Sequence, residues 1–138
     1  MKTYVKSWKN QIEDKPEKKW SQFSTPMSLK VNEDVNSKLF ITASLEFTGI
    51  QKRKLEQNHR GSVFYKILVD DQKVNEYHVI DSTNFDNPLD VNLQCSSIIP
   101  AGEHIIEVCY KLSKDSSWTF LGNQNQRQLS VLSFPQEQ

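Results

Sequence analysis

The sequence predicts an all-β protein, an antiparallel two-sheet β-sandwich of jelly-roll-like architecture. Three observations predict it. Apolar residues recur at every second position in short segments, the period of a strand with one buried and one wet face. Turn-forming residues separate those segments at short intervals, as in sandwiches and barrels. No stretch carries a convincing 3.6-residue apolar period that would place a helix between strands.

Residues 1–30 read as an N-terminal lead-in packed on a single sandwich domain spanning 31–138. Residues 1–26 are basic, polar and aromatic, with Trp8, Trp20 and Phe23, and with Pro16 and Pro26 as breakers. They are expected to be irregular, with one short strand and the tryptophans folded back, so that one or two faint strands precede the six clear ones. A helix over 9–19 would be interrupted by Pro16. In segment 38–48, Leu39, Ile41, Ala43, Leu45 and Phe47 share one face and polar residues dominate the other, with Phe40 the exception. Residues 49–61 form a polar, basic connection. Segment 62–69 places Val63, Tyr65, Ile67 and Val69 on one face. Asp70–Lys73 is a turn, because Asp bonds nearby backbone groups, and 74–80 is the returning strand of a hairpin. Residues 81–88 form a loop, 89–99 alternates through Leu89, Val91, Leu93 and Cys95, and 100–103 is a turn. Segment 104–112 faces Ile106, Val108, Tyr110 and Leu112 inward. Residues 113–127 are polar, and 128–134 is the last strand, ended by Pro135.

The composition fits one domain. The chain has 138 residues and a mass of 16.1 kDa, so roughly two thirds of its unfolded surface can be buried. Its apolar content is 36% and its aromatic content 10%, too aromatic for a disordered chain. The 17 basic and 17 acidic side chains cancel, which argues against nucleic-acid binding. The start lacks the apolar region of a signal peptide, and no apolar run approaches a membrane span. The chain is therefore expected in the cytoplasm or as part of a larger particle, with no membrane partner.

No catalytic or metal motif is present, and no cofactor is expected. His59, His78 and His104 lack zinc-motif spacing. The aspartates at 70, 71, 81, 86 and 90 form no calcium-loop ladder. The four glycines form no phosphate-cradling or dinucleotide fingerprint. The candidate ligand-binding residues are Trp118, in a polar loop where an exposed ring suits a sugar or protein contact, and the basic loop residues Lys52, Arg53, Lys54 and Arg60, which suit an anion or an acidic partner surface. Trp8 and Trp20 are lesser candidates. If 89–99 and 104–112 form a direct hairpin, Cys95 points inward and Cys109 outward with Glu107 and Lys111. Thiols on opposite faces cannot meet disulfide spacing, so both are expected to stay reduced. Placing those strands in different sheets would remove the premise.

Four stretches carry a resemblance: Lys38-Leu39-Phe40-Ile41-Thr42-Ala43-Ser44, Val63 through Asp71, Pro100-Ala101-Gly102-Glu103-His104-Ile105-Ile106-Glu107-Val108, and Arg127 through Phe134. Over roughly residues 36–134 the chain resembles small bacterial and phage-type jelly-roll domains related in architecture to the C1q and tumour necrosis factor modules. The resemblance implies a compact sandwich, often trimeric, that presents loops for recognition and is seldom an enzyme. The chain departs from the secreted members in lacking a collagen-like stalk and an evident secretion signal.

The leading expectation is a non-catalytic recognition or assembly domain, a homo-oligomer and by resemblance a trimer, taking a protein or glycan ligand. A lectin-like carbohydrate-binding module is the alternative. A small hydrolase or isomerase would need His78 or His104 beside a carboxylate in a pocket.

Overall fold

The computed structural model describes residues 1–8, 12–14, 19–50, 61–81, 89–112, 120–123 and 127–136. They form strands β1 (Lys2–Trp8), β2 (Ile12–Asp14), β3 (Ser21–Glu33), β4 (Ser37–Ile50), β5 (Gly61–Val69), β6 (Gln72–Asp81), β7 (Leu89–Ile99), β8 (Gly102–Leu112), β9 (Phe120–Asn123) and β10 (Arg127–Pro135). Every pairing is antiparallel. One sheet runs β1-β10-β4, with β7 on the other edge of β4 and β9-β2 continuing beside its far end. The second runs β3-β8-β5-β6. The two sheets make an antiparallel sandwich of jelly-roll type, and none of the described residues is helical. No helix among them is long and apolar enough to cross a membrane.

The inner faces follow the alternation. Leu39, Ile41, Ala43 and Leu45 of β4 oppose Val63, Tyr65, Ile67 and Val69 of β5, all buried. Val91 and Leu93, Ile106, Val108 and Tyr110, and Leu129 and Val131 complete the core. Leu112 and Leu89 lie in strands as expected, but their side chains are outside the described residues. Phe23 of β3 stacks on Tyr110 with ring centroids 4.9 Å apart. Beside them Arg127 is fully buried, its guanidinium 5.0 Å from the Phe23 ring and donating to the Thr25 carbonyl at 3.0 Å. That stacking and bond replace lost hydration.

One expectation is corrected and two readings are completed. Residues 2–8 and 21–26, within the stretch read as irregular with one short strand, lie in full strands, and the second of these, β3, runs on to Glu33. The reason is pairing: β1 runs along β10 from Lys2↔Ser133 to Trp8↔Arg127, and β3 runs along β8. Both are edge strands, which tolerate Pro26 at an irregularity between Gln22 and Met27. The polar stretch 113–127 contains a short strand, β9. Finally, of the two placements left open for β7 and β8, the separate one is observed. They belong to different sheets, and the corner between them turns at Gly102, whose φ of +123° suits glycine. Cys95 nonetheless faces the core and Cys109 the outer side of β8, and both thiols are free.

The β5–β6 hairpin has a two-residue turn. Asp70 and Asp71 both take left-handed φ, 51° and 65°, with Val69 paired to Gln72. This geometry matches strand twist, and Asp tolerates it.

Candidate functional site

Trp118, Lys52, Arg53, Lys54 and Arg60 all lie outside the described residues, as does His59. The described strands bring together a different candidate: the outer face of the β1-β10-β4-β7 sheet.

The register defines this face strand by strand. Asn92, Gln94, Ser96 and Ile98 of β7 lie beside Ser44, Thr42, Phe40 and Lys38 of β4. Those lie in turn beside Gln128, Ser130, Leu132 and Phe134 of β10. Thr3, Val5 and Ser7 of β1 complete it. The register continues beyond these residues to Glu46↔Asp90, whose side chains lie outside the described residues; among the positions named, Lys38 is the one charged residue, in a chain that is 25% charged. Even that ammonium lies over the Phe40 ring, 5.3 Å from its centroid.

The face has two ends. At one, hydroxyls and amides form a ladder, with the Ser44 hydroxyl 2.8 Å from the Asn92 side-chain oxygen. At the other, Phe40 and Phe134 meet edge to face at 5.5 Å, a favoured aromatic geometry. Leu132 and Ile98 flank them, 41% and 68% exposed. Apolar side chains gathered on a solvent face mark an interaction surface more often than apolar residues scattered singly do.

The apolar end borders a shallow cleft of about 280 Å³ at the sandwich rim, lined in part by Met1, Glu33, Ser133 and Pro135. Glu33 is buried there. One carboxylate oxygen accepts from the Ser133 hydroxyl and the other lies 2.5 Å from the Tyr4 hydroxyl. Burial, and then the Glu33 carboxylate, hold the Tyr4 phenol above its ordinary value, so it remains a donor. At the rim Lys2 approaches Asp34 at 3.6 Å.

The outer face of the second sheet is unlike the first. Lys30 pairs with Glu103 at 2.6 Å, and Gln22 donates to Glu107 at 2.6 Å. Lys66 and Lys111 lie 4.5 and 4.8 Å from the centroid of the Trp20 ring. On this mixed-charge face Cys109 is buried between its register partners Gln22 and Lys66. Burial pushes its thiol up, with Glu107 adding to the effect. Burial likewise pushes up the Cys95 thiol. Tyr77 is pushed up to about 12 by burial and then by Cys95. Its hydroxyl donates to the Gln94 carbonyl at 2.5 Å, tying β6 to β7 across the side of the sandwich.

His104 stands at the β7–β8 corner, one ring nitrogen 2.5 Å from Asp70 Oδ2 and the other 2.8 Å from the Pro100 carbonyl. Burial alone would push the ring down. The bonds to Asp70 and Pro100, with the Glu33 charge nearby, outweigh it and hold His104 above its ordinary value. The His104 bond, and then the Ile105 N–H, hold Asp70 below the usual carboxylate range. The side chain of His78 is outside the described residues. Among the described residues no three metal-ligating side chains converge.

No protein-family model matches the chain, and no curated protein matches it. Solved structures do. The fold is similar to one in the structure of infectious bursal disease virus Gt strain, with a TM-score of 0.53 over 95% of this chain at 10% identity. The infectious bursal disease virus VP2 subviral particle gives a TM-score of 0.44 over 97% of this chain at 15% identity. A family 35 carbohydrate binding module from an environmental isolate gives 0.43 over 99% of this chain and 100% of its own, at 10% identity. The chain spans about a third of the length of the two viral chains, 33% of each. At these identities the likeness is one of fold.

Proposed function

We propose that this chain is a non-catalytic assembly domain that self-associates by burying the outer face of the β1-β10-β4-β7 sheet. One observation carries the reading: a four-stranded face whose described side chains include one charge, Lys38, and a cluster of Phe40, Leu132, Phe134 and Ile98 at one end. Identical copies can meet through such a face with little like-charge repulsion. Its apolar end supplies the area-dependent gain that drives association. The likeness to a fold found in a viral particle agrees with a building-block role, and a trimer is the form the sequence resemblance favours.

Sedimentation equilibrium tests this. The wild type is expected at a multiple of 16.1 kDa, three for a trimer, and Leu132→Lys at the monomer mass with an unchanged circular dichroism spectrum. A monomeric wild type at high concentration would overturn it.

A second reading has its own observation. The amide and hydroxyl ladder from Asn92 and Gln94 to Thr42 and Ser44 suits a neutral glycan chain, whose hydroxyls pair with uncharged donors and acceptors. Under that reading Asn92→Ala weakens glycan binding, and Trp118→Ala would test the loop contact. An enzyme is the weaker reading. The His104–Asp70 pair has the composition of an acid–base site, but both ring nitrogens are engaged within the protein, leaving none to reach a substrate.

A further inference from the structure

His104 presents a hydrogen-bonding problem with one solution. The Pro100 carbonyl at Nε2 can only accept. The Asp70 carboxylate at Nδ1, held below its usual range, also accepts. Both ring nitrogens must carry a proton to satisfy both contacts, and only the imidazolium does so. A neutral ring keeps one N–H. The charged carboxylate is the stronger acceptor, so the proton stays on Nδ1 and an Nε2 lone pair then faces the Pro100 oxygen.

Neither acceptor is placed by His104 alone. Asp70 Oδ1 accepts from the Ile105 N–H at 2.9 Å, and the Asp70 N–H donates to the Ile105 carbonyl at 2.9 Å. The Ala101 N–H donates to the Asn36 side chain at 3.0 Å. The charges that bear on the ring are Asp70 from the β5–β6 turn and Glu33 from β3. Lys30 of β3 and Glu103 of β8 pair with each other. The corner joins the two sheets, and Ile98, at the apolar end of the β1-β10-β4-β7 outer face, lies two residues before Pro100.

We propose that His104 is a proton-operated latch. Its imidazolium clasps the β7–β8 corner to the Asp70 turn, and loss of one proton from Nε2 frees Pro100 and loosens the Ile98 end of the β1-β10-β4-β7 outer face. The consequence for self-association rests on the assembly reading; the latch itself does not.

The test is NMR on the full chain from about pH 5 to about pH 9, across the histidine range. It follows the His104 ring shifts, the Ile98 methyl shifts and the exchange protection of the Ala101 and Ile105 amides. Protection is expected to fall about tenfold as His104 loses its proton, the size of one lost hydrogen bond, with Ile98 moving at the same midpoint. His104→Gln, which does not titrate, is expected to show no step. Asp70→Asn is expected to move the midpoint to lower pH. Flat protection through the His104 titration, or a step that survives in His104→Gln, would overturn the latch. Sedimentation of the same samples separates the two readings. Mass falling at the His104 midpoint supports control of assembly. Constant oligomer mass across a clear NMR step would overturn that control, and monomer at every pH with the step present would defeat the assembly reading alone.

Discussion

The two outer faces of this sandwich are built from the same alternating strands and are opposite in chemistry. On the β3-β8-β5-β6 side the wet positions hold Lys30, Glu103, Glu107, Lys66 and Lys111, arranged in a close ion pair, a carboxylate–amide bond and lysine–tryptophan contacts. On the β1-β10-β4-β7 side the equivalent described positions hold serines, threonines, amides, Lys38 and a cluster of large apolar groups. The charges of edge strand β1 keep off that face: Lys2 and Lys6 pair with the inward residues Ser133 and Leu129, and Lys6 lies against the Trp8 ring at 5.4 Å. Inward-pointing charge is a known way to blunt a sheet edge. The charged groups of the described outer positions thus gather on one face and leave the other with few.

The largest effect sharpens the contrast between the inside and outside of one strand. Ile41→Ala empties a buried position and is expected to cost about 2–5 kcal/mol in denaturant unfolding. Its neighbour Phe40→Ala is expected to cost about 1 kcal/mol or less while weakening self-association. Equal losses at the two sites would mean that Phe40 serves the monomer's stability and not docking. Next, Tyr4→Phe leaves one oxygen of buried Glu33 without its phenol donor and is expected to cost about 1 kcal/mol, a loss visible in the unfolding midpoint.

The pH dependence follows from His104 and Asp70. His104 is held above its ordinary value, so its contribution is full below the unfolded histidine value and fades as pH rises through the folded one. Asp70 is held below its ordinary value, so its contribution is present above the unfolded carboxylate value and fades as pH falls through the folded one. Their joint contribution peaks between the two unfolded values, and in His104→Gln the alkaline decline is expected to disappear from a series of unfolding curves. The smallest effect belongs to the charged face. Lys30→Gln removes an exposed ion pair and is expected to leave both mass and unfolding midpoint unchanged.

Much of the fold was legible because inward positions of the strand-forming segments are dominated by apolar residues. Segments 38–48, 62–69, 74–80, 89–99, 104–112 and 128–134 all lie within strands. The edge strands β1 and β3 were legible only as one or two faint strands. Lys2, Lys6, Pro26 and the buried Glu33 interrupt their pattern, and an edge can carry such residues because one side has no ladder to satisfy. Buried Arg127 was likewise hidden, since its burial depends on Trp8 and Phe23 arriving from distant strands. The exposed apolar cluster did leave a trace. Phe40 already broke the wet-face alternation of its segment, and Leu132, Phe134 and Ile98 break theirs in the same way. Only the register shows that these exceptions gather at one end of one sheet.

Hydroxyl-radical footprinting across a concentration series, read by mass spectrometry, asks directly which side of the sandwich becomes covered. Oxidation of Phe40, Phe134 and Leu132 is expected to fall as concentration rises, while that of Trp20 and Phe64 stays constant. Unchanged labelling of the first group, or protection appearing on the second, would contradict the account.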